Sequence, residues 1–161
     1  MRIAFVMDPI ERVDINADTT FALMFAAQER EHEVYYVRMR DMSARDDEAW
    51  SIVRRVTLRR EEGNHVDIEM PEHVHLGEFE AIFMRKDPPF DVPYLHAAHL
   101  LELAEEKGAF VLNKPNGLRA ANEKLYALHF PGAIPPTMVT KRADEVRDFA
   151  RSQEGSKCII K

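Results

Sequence analysis

Residues 84–91 read Met-Arg-Lys-Asp-Pro-Pro-Phe-Asp and concentrate more chemistry than any other stretch of the chain. Two adjacent prolines stiffen the backbone. A rigid loop that also carries a guanidinium, an ammonium and two carboxylates is a pre-organised polar site. Arg85 suits bidentate capture of a carboxylate. The competing role for Arg85 is local: an ion pair with Asp87 or Asp91 that merely fixes the loop. Histidines offer a second chemistry. His73 and His75 fall on one face of a strand, and His96 and His99 on one face of a helix. A structural zinc site normally takes four ligands, and neither pair has a third fixed by spacing, so no metal site is assigned. Cys158 is the single cysteine. It allows no intrachain disulfide or four-thiolate centre and fits a reducing compartment, with the cytoplasm as the expected location.

Chemistry at residues 84–91 depends on what holds that loop. Residues 2–7 are nearly all apolar, as in a parallel strand buried on both faces. A loop over 8–17 follows, and Asp18-Thr19-Thr20 opens an apolar-rich helix running to about residue 30, with Asp18 or Thr19 as N-cap. Residues 32–38 are β-branched and aromatic and read as a second strand, which completes a β-α-β unit. Residues 41–80 are less regular and read as an antiparallel excursion, with turn character at Glu62-Gly63-Asn64. Strand character returns at 81–84, a helix at 94–107 ends before Gly108, and a strand covers 109–112. A helix is expected over 118–129. Three prolines and a glycine within 131–136 mark a linker or boundary. Beyond it a strand at 137–140, a helix at 143–152 and a strand at 157–161 are expected. A chain ending in an apolar strand lacks the neighbours that normally cover such a segment.

The fold class that follows is α/β, an open, mostly parallel sheet flanked by helices. Ligands of such sheets bind beyond the carboxyl ends of the strands. That edge carries Asp8, then Arg85, Lys86 and Asp87, then Asn113 and Lys114. The first loop contains no glycine, which argues against a dinucleotide-binding turn. Apolar residues make up 45% and charged residues 31% of the chain, and the formal net charge is −6. This balance disfavours nucleic acid and anionic membrane surfaces as partners. No stretch approaches the roughly 18 apolar residues of a membrane span.

Four short stretches are specific in combination: VMDPI at 6–10, MRKDPPFD at 84–91, VLNKP at 111–115 and NEKLYA at 122–127. In this order and spacing they resemble the signature segments of prokaryotic glutathione synthetases, ligases of the ATP-grasp family. The resemblance spans the whole chain, with 41–80 as its divergent part. It implies a substrate (pre-ATP-grasp) domain over 1–121, followed over 122–161 by the start of a truncated ATP-grasp domain.

It also implies a reaction. ATP, with Mg2+, phosphorylates the cysteinyl carboxylate of γ-glutamylcysteine, and the glycine amine attacks the acyl phosphate to give glutathione. Another ATP-grasp carboxylate–amine ligase and a non-catalytic α/β module for a small anion are the alternatives. By resemblance, Lys124 and Lys161 contact ATP, and Arg85 holds a substrate carboxylate and steadies charge at the acyl group. Asp8, Thr19 and Thr20 are further substrate contacts, because a helix N-terminus presents free N–H groups to an anion. The family's glycine-rich loop and magnesium ligands are expected beyond residue 161. The chain by itself is therefore expected to be inactive, and the full-length form to be a homo-oligomer.

Overall fold

The computed structural model describes residues 1–87, 89–121 and 125–160. The chain divides into two compact units, residues 1–120 and 121–161. The first unit is built on strand β1 (Arg2–Val6), helix α1 (Thr19–Glu29), β2 (Glu33–Arg45), β3 (Glu48–Leu58), β4 (Val66–Ile68), β5 (Glu72–His75), β6 (Ala81–Met84), α2 (Val92–Glu106), β7 (Phe110–Leu112) and α3 (Pro115–Ala120). Its sheet has seven strands in the order β4-β3-β2-β1-β6-β7, with β5 paired to β3. β1, β2, β6 and β7 run parallel, whereas β3, β4 and β5 extend the sheet antiparallel. This is the open α/β architecture that the alternation of strand and helix predicts.

Period-two alternation in β1 fills both layers. Ala4 and Val6 join a core with Tyr35, Ile82, Leu101 and Val111 on the α2 side. Ile3 and Phe5 point the other way, into a core with Phe21, Met24 and Tyr36 on the α1 side. Phe5 and Phe83 stack across β1 and β6 with ring centroids 4.9 Å apart. Phe79 belongs to the main α2-side core at 1% exposure, where it meets Tyr35 edge-on. Trp50, by contrast, is half-buried between His73 and His75.

Caps fix the two long helices. Asp18 accepts a hydrogen bond from Phe21 N at 2.7 Å and Asp91 one from Tyr94 N at 3.0 Å, each satisfying a first-turn N–H. Pro93 lies in the first turn of α2, where its missing N–H costs nothing. Past the C-terminus of α2, Gly108 takes φ +110°, in the left-handed region that favours glycine.

Several expectations need correction. β2 continues to Arg45, because past a register shift between Val37 and Met42 it pairs with β3 down to a tight hairpin. Asp46 turns that hairpin at φ +54°, a conformation Asp tolerates. Of the helix expected over 118–129, the described residues form the end of α3 and a short 3-10 turn, Tyr126–His129, while residues 122–124 lie outside the described residues. Asn113, Lys114, Asn116 and Gly117 read as turn residues, but Pro115 is pre-set for a first helical turn and starts α3 early. In the second unit α4 (Ala143–Ser152) forms as expected. Residues 137–140 and 157–160 form no strand, since no described segment supplies them with a ladder partner.

Candidate functional site

The candidate site is assembled where β1 and β6 end side by side. Val6 and Met84 are register partners, and Arg85 N donates to Val6 O at 2.8 Å. Pairing thus continues one residue past the strand and fixes the backbone that presents the Arg85 side chain. That side chain crosses to the N-terminus of α1. Nε donates to Thr20 Oγ1 at 3.1 Å and Nη2 to Thr19 Oγ1 at 2.8 Å. Thr20 is 5% exposed and Thr19 open to solvent. Arg85, Thr19 and Thr20, separated by some sixty-five residues of chain, form one hydrogen-bonded group.

Neutral hydroxyls hold the guanidinium without cancelling its charge. Arg85 carries five N–H donors in a planar fork, and these bonds use only part of them. The positive end of the α1 dipole lies at the same place, so an anion gains from both. The loop-fixing alternative is not what the structure shows. Asp91 caps α2, and among the described residues Arg85 has no carboxylate partner.

Asp8, next along the rim, pairs with Lys86: Nζ lies 3.1 Å from Oδ2. The loop behind Asp8 is braced twice. Arg38, at the end of the central part of β2, donates to Glu11 at 2.9 Å and to the Tyr36 hydroxyl at 2.8 Å. The Tyr36 bond is the main cause that raises the guanidinium pKa of Arg38 above its usual value. His65, 8% exposed, places Nε2 2.8 Å from Ile10 O. Because a carbonyl only accepts, this contact puts a proton on Nε2. Nothing in the spacing around His65 signals that contact.

Other expected rim residues lead elsewhere. Lys114 lies 3.8 Å from Glu105 of α2, and Asn113 is exposed beyond β7. Lys124 and Lys161, expected at ATP, lie outside the described residues. Of the histidines, His73 stacks on Trp50 with centroids 5.2 Å apart and His75 meets the same ring at an angle, while His99 lies 3.8 Å from Glu102. Among the described residues no three His, Cys, Asp or Glu side chains are grouped to hold a metal ion. A separate open groove of about 570 Å³ runs between β2 and α2, with Met39, Met42, Pro93, His96, His99 and Leu100 in its walls, and contains none of the Arg85 cluster. No helix among the described residues is long and apolar enough to cross a membrane.

Comparison with known proteins bears on the same region. The Glutathione synthetase of Coxiella burnetii is 40% identical over 154 residues, 96% of this chain and 48% of the relative. Those of Vibrio parahaemolyticus and Pseudomonas syringae pv. tomato are each 38% identical, over 96% and 95% of this chain and 49% and 48% of their own lengths. The chain therefore spans about half the length of the curated relatives it matches. Residues 1–119 match the family described as "Prokaryotic glutathione synthetase, N-terminal domain". That match covers the sheet, both long helices and every residue of the Arg85 cluster, and the chain belongs to the prokaryotic glutathione synthetase family.

Proposed function

We propose that this chain is the peptide-binding half of a ligase that joins γ-glutamylcysteine to glycine, and that the rim formed by Arg85, Thr19 and Thr20 receives the dipeptide, with Asp8 beside it taken up by Lys86. The observation that carries this reading is the Arg85 guanidinium, held at the N-terminus of α1 by two hydroxyls at 2.8 and 3.1 Å. A carboxylate of the dipeptide fits there because it takes a bidentate pair of N–H bonds and gains from the helix dipole. The same donors favour negative charge developing on the acyl group during its activation, which makes Arg85 the catalytic residue of this half. The relatives' printed name supports glutathione synthesis as the reaction.

ATP with Mg2+ would supply the phosphoryl group that activates the carboxylate. Lys124 and Lys161 are the positions proposed to meet the nucleotide, with magnesium ligands supplied by sequence outside this chain. This half binds and orients the peptide and fixes the charge of its carboxylate. Alone it holds γ-glutamylcysteine without turning it over.

Calorimetric titration tests this directly. γ-Glutamylcysteine binds the 161-residue chain, whereas the analogue with both carboxylates converted to amides does not, and no ADP is released with ATP, Mg2+ and glycine present. Equal binding of the analogue removes the anion site, and turnover by the chain alone refutes its role as half of the enzyme.

A further inference from the structure

Lys86 follows Arg85 in sequence, but its ammonium serves a different partner. The side chain is 18% exposed; Nζ lies 3.1 Å from Asp8 Oδ2 and donates to Asp87 O at 2.6 Å. Asp8, whose side chain is 45% exposed, follows β1, the immediate neighbour of the strand that delivers Arg85. Adjacent strands lie roughly 5 Å apart, so Asp8 and Arg85 stand within about one to two strand spacings of each other. Asp87 also lies on this rim, and among Asp8, Arg85 and Lys86 the partners are sorted. Asp8 goes to Lys86, and Arg85 goes to hydroxyls.

That sorting decides what the rim can bind. An unpaired carboxylate at this distance would oppose an incoming anion and compete with it for the guanidinium, and partial burial strengthens both effects. We propose that Lys86 is a positioning residue of the anion site: by neutralising and holding Asp8, it leaves Arg85 with its charge and donors free for the ligand's carboxylate. The inference rests on the dipeptide reading above. Lys86 acts through Asp8 and not by touching the ligand. Removing both members of the pair therefore restores what removal of Lys86 alone takes away.

The test is calorimetric titration of γ-glutamylcysteine into the 161-residue chain and its variants, each checked by thermal unfolding. Lys86→Met weakens binding about tenfold, the scale of a partly screened charge interaction at this separation. Lys86→Arg binds like the wild type, and the double variant Lys86→Met/Asp8→Asn returns to within about threefold of it. If Lys86→Met unfolds the chain, Lys86→Gln, which loses the charge but keeps a donor, carries the same expectation. No binding by the wild type, or full binding by Arg85→Ala, overturns the dipeptide reading and this inference with it. Loss in Arg85→Ala with no effect of Lys86→Met, or no recovery in the double variant, overturns the Lys86 role alone.

Discussion

Thr20→Val isolates the hydrogen bond that aims Arg85. The substitution exchanges a hydroxyl for a methyl of nearly the same size at a position 5% exposed, and it removes the acceptor 3.1 Å from Arg85 Nε. A hydrogen bond to a charged group contributes about 1.5–3 kcal/mol. The Thr19 bond at 2.8 Å remains and keeps part of the orientation. The lower end of that range applies, about 1.5 kcal/mol, or roughly a tenfold rise in Kd for γ-glutamylcysteine. Thermal stability should change little, because the valine packs where the threonine did; a chain of this length shifts by roughly 2–4 °C per kcal/mol. Calorimetric titration gives the Kd and circular dichroism the Tm, with Thr20→Ser as the variant that restores binding. A wild-type Kd for Thr20→Val, with the fold intact, would show that Thr20 does not position Arg85.

Two further expectations concern the scaffold. Gln28 of α1 joins Leu58 of β3 by two bonds, Nε2 to the carbonyl at 2.8 Å and Oε1 from the N–H at 2.7 Å. Gln28→Ala should therefore cost about 2–3 kcal/mol in urea unfolding, since both backbone groups of a buried residue lose a partner; a loss below about 0.5 kcal/mol would refute the tether. Glu102 of α2 accepts from Arg119 of α3 at 2.7 Å, and that bond holds its carboxyl below the usual pKa. A lowered folded-state pKa stabilises above the unfolded value and is lost as pH falls through the folded one. Wild type should exceed Glu102→Gln at pH 7 by up to about 1 kcal/mol, a modest figure because the pair is partly exposed. The difference should shrink as pH falls through the lowered folded-state value, and an offset that does not change with pH would show that the pair does not titrate as described.

Elements dictated by local chemistry were the ones legible in the sequence. β1 is an apolar run, Asp18 is a strong N-cap acceptor, and β6 lies between a 3-10 turn at Leu76–Glu78 and the proline-rich loop. Elements that depend on a partner were not. The extension of β2 to Arg45 exists because β3 folds back along it, and its mixed polarity carries no strong period of its own. The apolar stretches at 137–140 and 157–160 have strand composition, but composition alone does not make a ladder. The site divides the same way. Strand ends predict that Asp8 and the loop after Met84 share a rim, whereas the bonds of Arg85 to Thr19 and Thr20 and the choice of Lys86 by Asp8 emerge only in three dimensions. His65, far along the chain and bracing the Ile10 turn, gave no signal at all.

The central claim is that Arg85 at the rim of β6 binds a carboxylate of γ-glutamylcysteine. Titrating the dipeptide into the wild-type chain and into Arg85→Ala under identical conditions measures it most directly. Saturable binding by the wild type is predicted, weakened by about thirtyfold or more in the variant, as expected when one partner of a hydrogen-bonded charge pair is removed. Equal affinities in two folded proteins, or no binding by the wild type, would contradict it.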